Sequence, residues 1–132
     1  MGVRFPSVNV AQNFGNVNTQ NTLETLIYTT PGLNISLDFA TILLFWWMLY
    51  NPGASTTAAT VRIRRGAGIT GTLVDLGLTV PAVVAGTKIN LSGCYVDTPG
   101  AVAAQQYSLT IQQTAGTGAG AVNDGMLIAF AL

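Results

Sequence analysis

Charge that catalysis or ionic binding could use is concentrated in few places. The carboxylates are Glu24, Asp38, Asp75, Asp97 and Asp124, and three of the five basic residues, Arg62, Arg64 and Arg65, fall within "RIRRG". A glycosidase needs two carboxylates facing one another across a cleft, and a calcium ion needs several clustered oxygens. These acids stand singly. Asp97, before Thr98-Pro99-Gly100, and Asp38, at a strand end, read as turn formers or arginine partners. Histidine is absent and Cys94 is the only cysteine, which removes most nucleophile–base dyads and argues against a zinc site with nitrogen or sulfur ligands. Cys94, in "INLSGCYVD", reads as a small buried apolar residue of a strand. No catalytic residue, metal site or cofactor is expected. A hydrolase cleft assembled from distant acids is the one enzymatic alternative.

The arginines have two readings. They form either a cationic stripe for an acidic partner or phosphate backbone, or a strand's outer face that pairs with the scarce carboxylates or packs at an interface. Nucleic-acid binders spread many more charges over a face and add exposed aromatics. This chain has a formal net charge of +0. Pairing or interface packing is therefore expected, a task suited to a guanidinium fork, and no nucleic-acid partner. "GAGITG" and the glycine-rich stretch over 115–121 lack the Lys-Ser/Thr of a phosphate loop and read as hairpin loops.

The elements that must carry these side chains are strands. Residues 1–21, rich in Asn, Gln and Val, show little periodicity and read as an extended arm ordered against something else. The Met-Gly start is followed by Pro6 and no basic cluster, so lipidation is not expected, and no apolar leader is visible. From residue 22 to 132 apolar runs alternate with Pro- and Gly-marked turns: "TLETLIYTT", "NISLDF", "ATILLFWWMLYN", "ATVRIRRG", "TGTLVDLGLTV", "TKINLSGCYVD", "QQYSLTIQQT" and "GMLIAFAL". In "QQYSLTIQQT", Tyr107, Leu109 and Ile111 should point inward and Ser108, Thr110 and Gln112 outward. No helical period is sustained. Seven to nine strands punctuated this way favour a β-sandwich or barrel. The absence of Cys…Trp…Cys spacing favours an eight-stranded jelly roll over an immunoglobulin sandwich.

One strand is anomalous. In "TILLFWWMLYN", Leu43, Phe45, Trp47 and Leu49 lie on one face and Leu44, Trp46, Met48 and Tyr50 on the other, so both faces are apolar. Such strands are normally covered on both sides, and no helix is available to cover the second. The run is too short for a membrane helix, and the other strands lack the lipid-facing pattern of a membrane barrel. Charged residues make up only 8% of the chain and mean hydropathy is +0.47, against roughly 25% charge in ordinary soluble domains. A neighbouring subunit is the expected cover, ahead of the chain's own arm or loops, with Trp46, Trp47, Tyr50, Arg62, Arg64 and Arg65 as interface candidates.

At "TAATVRIRRGAGITGTLV" and "VDTPGAVAAQQYSLTIQQTAGTGAGAV" the chain resembles small single jelly-roll virion structural proteins of the capsid and decoration type. Its scheme is similar to the trimeric β-sandwiches of the tumour-necrosis-factor and complement-C1q type. The resemblance covers about residues 22–132 and implies a homotrimer or larger assembly in the virion, alongside other virion proteins. "LLFWWMLY" is more aromatic than that outline. The rival reading is a receptor- or glycan-binding β-sandwich module that uses its glycine-rich loops.

Overall fold

The computed structural model describes residues 8–13, 17–19, 23–36, 40–52, 57–84, 86–114 and 120–132. The Met-Gly start, Asp38 and the glycine-rich residues 115–119 lie outside them, as does the remainder of the expected arm. Eleven strands are present among the described residues, and no helix: β1 (Val8–Asn13), β2 (Val17–Asn18), β3 (Thr25–Thr29), β4 (Leu33–Ile35), β5 (Ile42–Asn51), β6 (Thr57–Arg65), β7 (Thr72–Val83), β8 (Ile89–Asp97), β9 (Val102–Gln105), β10 (Tyr107–Gln113) and β11 (Ala121–Ala131). All pairings are antiparallel.

Two large sheets face each other. Sheet A runs β1-β11-β5-β8, with β2 also paired to β11, and sheet B runs β3-β10-β6-β7. A two-stranded ribbon, β4-β9, stands apart from both and adds Leu33 and Ile35 to the core. Strand alternation supplies the core between the sheets. Ile42, Leu44, Met48 and Tyr50 of β5 meet Val61 and Ile63 of β6, Leu109 and Ile111 of β10, and Leu127 and Ala129 of β11. Each large aliphatic side chain so enclosed contributes about 1.5–3 kcal/mol of gross burial.

Three local features depart from simple alternation. Residues 8–13 and 17–18, expected within an arm, pair with β11, and β1 is an edge of sheet A. Strand pairing therefore crosses the boundary expected between residues 21 and 22. The Asn and Gln of "VNVAQN" gave no apolar alternation by which to see it. In β3, the register slips between Leu109 and Thr110 of its partner, so the consecutive Ile27 and Tyr28 are both buried. In β10, Ser108 and Thr110 are fully buried although expected outward. Ser108 donates to the Gly66 carbonyl and accepts from Gly68 N–H, and Thr110 donates to Glu24, so the 66–68 turn and the start of β3 cap that face.

Candidate assembly face

The two tryptophans part company as a strand requires. Trp46 turns inward and is 5% exposed; Trp47, on the outer face of sheet A, is 36% exposed. Trp46 fits because its cross-strand partner is Gly93. A Cβ there would lie 2.9 Å from three atoms of the indole, closer than real Cβ contacts come. Gly93 is therefore the recess into which the larger ring is packed.

Register assembles the outer face. Along β5, Leu43 sits between Phe130 and Val96, Phe45 between Ile128 and Cys94, and Trp47 between Met126 and Ser92. Phe45 is 44% exposed and Val96 54%. Phe45 and Phe130 stand edge to face, with ring centroids 5.9 Å apart, the arrangement favoured by aromatic quadrupoles. Phe45, Trp47, Ser92, Cys94 and Met126, with Trp46 and Gly93, border an open groove of about 430 Å³. Asp124, opposite Leu49, marks the charged end of this face. Cys94, expected to be buried, is exposed here, because β8 turns its even-numbered residues outward.

The arginines belong to the other sheet and are engaged within the chain. Arg64 forks onto Glu24, with Nε and Nη2 each 2.7 Å from a carboxylate oxygen, and its Nη1 donates to the Gly71 carbonyl at 2.9 Å. Arg65 forks onto Asp97 at 3.0 and 2.6 Å, and the buried Tyr107 hydroxyl donates to the same carboxylate at 2.7 Å. Asp97 ends β8 of sheet A, whereas Arg65 and Tyr107 belong to sheet B, so this triad clasps the sandwich at one end. Burial, and then the bond to Asp97, push the Tyr107 phenol well above its ordinary range. Arg62 donates to Gln112 at 2.9 Å. The expected pairing of arginines with scarce carboxylates is thus present at Arg64 and Arg65.

Of the interface candidates, Trp47 stands on the apolar face, and Trp46, though only 5% exposed, also lines the groove there. Trp46 and Tyr50 are enclosed by the chain's own sheets, and Tyr50 accepts a bond from Gln113 Nε2 at 3.0 Å. Phe45, Val96, Met126, Ile128 and Phe130 were missed as a group. The available signal was that "GMLIAFAL" is apolar at both parities, like β5, its neighbour in the sheet.

The Glu24–Arg64 pair has a pH consequence. Hydrogen bonding from Arg64, opposed by burial and assisted by Thr110, holds the Glu24 carboxyl below its usual 4.5. A carboxylate lowered on folding adds stability above its unfolded pKa and loses that contribution as pH falls through the folded value. The melting temperature should therefore drop more steeply below pH 4.5 in the natural chain than in Glu24→Gln, as followed by circular dichroism. Equal slopes would show that the pair carries no linkage.

No family model matches the chain, and no curated protein matches it. Solved structures do. A chain in the crystal structure of the T13 viral particle of infectious bursal disease virus superposes with a TM-score of 0.66 at 11% identity, over 94% of this chain and 31% of that one. Particles of T=1 type derived from the same virus give 0.62 at 14% identity, over 95% and 31%. The VP2 subviral particle of that virus gives 0.60 at 13% identity, over 95% and 33%. This chain spans about a third of the length of these relatives. At such identities the likeness is one of fold.

Proposed function

We propose that this chain is a non-enzymatic structural protein of a virus particle, which associates with copies of itself and with other virion proteins through the outer face of sheet A. The observation that carries the reading is Phe45 and Trp47 standing exposed amid an apolar three-strand surface. Solitary exposed apolar residues are ordinary, but a contiguous patch of this kind marks an interaction site. The order β1-β11-β5-β8 facing β3-β10-β6-β7 supports assignment as a single eight-stranded jelly roll, with β2, β4 and β9 as additions. The fold shared with chains of infectious bursal disease virus particles supports the virion setting.

In this reading Trp47 and Phe45 are the anchors. Trp46 and Tyr50 act one layer beneath, keeping the face flat, and Arg65 clasps the sheets through Asp97, while Arg64 braces sheet B through Glu24. A homotrimer or a larger closed assembly is the expected state. Sedimentation velocity of the purified chain, without detergent and at tens of micromolar, should give one discrete multimer. A single-chain species throughout the concentration range would overturn the proposal.

A further inference from the structure

The sandwich has two strand edges on the side where β7 and β8 lie next to each other, and they are built differently. An unpaired edge presents a row of N–H and C=O groups, a template for another strand unless something blunts it. β7 is blunted in several ways. It contains Pro81, its register against β6 shifts at three places, and Gly77 adopts φ +95° with its N–H tied to the Asp75 side chain. Such bulges and prolines are the usual guards against edge-to-edge pairing.

β8 has no such guard. Its nine residues pair with β5 in unbroken register, from Ile89 opposite Tyr50 to Asp97 opposite Ile42. It contains no proline, and no charge from Ile89 to Val96. Among the described residues it pairs with β5 alone. Its charges stand at the ends: Lys88 is exposed just before the strand, and Asp97 closes it.

We infer that the free edge of β8 pairs antiparallel with the β8 edge of a second copy. The partner is a strand because only an extended backbone matches an alternating row of donors and acceptors. It is a second copy because of pattern: the edge is nine residues of unbroken, proline-free strand, and a two-fold axis sets the same alternation on both sides of an antiparallel contact. Asp97 adds no charge to that contact, since its carboxylate is buried and held by Arg65 and Tyr107. Registers that match like faces keep Cys94 and Val96 on the same side as Phe45 and Trp47, so the apolar outer face runs on from one copy to the next. Sheet A would then continue across the axis as β1-β11-β5-β8-β8-β5-β11-β1.

This inference rests on the self-association reading and adds a contact distinct from the apolar face. Two different contacts per copy permit a shell, where one isologous contact closes at a dimer. The test is residue-resolved amide exchange on the full chain, in an assembled sample and in one diluted to single chains, with light scattering fixing the mass of each. Amides along β8 alternate between those facing β5 and those facing outward. The outward set should slow by about tenfold or more on assembly, with β7's outward set unchanged. Assembled protein whose outward β8 amides stay fast overturns the edge pairing and leaves the face contact standing. A chain that stays single at every concentration overturns both.

Discussion

Trp46→Ala lowers the unfolding free energy by about 3–5 kcal/mol, the cost of deleting a large enclosed aromatic when the surroundings relax only in part. That is a large share of the roughly 5–15 kcal/mol that a domain of this size possesses. The indole is held beneath Gly93 and between sheets, so the vacated space has walls on both sides. The neighbouring Trp47→Ser in single chains should cost less, about 1–3 kcal/mol, because about a third of the ring already meets water while the rest packs on its neighbours. Urea unfolding at dilution measures both. The reciprocal change, Gly93→Ala, drives a methyl into the same ring and costs about 1–3 kcal/mol. Equal losses at Trp46 and Trp47 would mean that the inward and outward parities of β5 are wrong.

The second large effect is on association. Phe45→Ser combined with Trp47→Ser should weaken self-association by at least about thirtyfold, the loss that follows when an aromatic hot spot worth about 2 kcal/mol or more is removed. Their exposed parts amount to roughly 80 Å² each, taking about 200 Å² for a large aromatic. At about 25 cal/mol per Å² that is on the order of 4 kcal/mol of gross burial per copy. Part of this is offset by ordering and desolvation, so the lower bound is the sounder expectation. Sedimentation equilibrium gives the constant. A double variant that associates like the natural chain would move the interface off this face.

These two results separate what the sequence carries locally from what only pairing creates. The doubly apolar β5 was legible because alternation needs no partner, and so were the other long strands, each marked by apolar runs and Gly or Pro punctuation. β1 was not, since its amide-rich sequence carries little apolar periodicity, and its place comes from register with β11. Which tryptophan turns inward was also hidden. It is decided by Gly93, forty-odd residues away and opposite Trp46 only through register. For the same reason the outer face could be anticipated as one strand's worth of residues but not as three strands. Arg65 and Asp97 were foreseeable as a charged pair. That they clasp two sheets, with Tyr107 as third member, depends on topology.

Cys94 offers the most direct measurement of the central claim, that copies of this chain cover the outer face of sheet A. It is the only cysteine, is exposed, and borders the groove beside Phe45 and Trp47. Its rate of reaction with a small aromatic disulfide should be followed across a dilution series while light scattering reports mass. The rate should be fast in dilute single chains and fall at least about tenfold as the assembled species forms. An assembled species in which Cys94 reacts as fast as in single chains would contradict that claim.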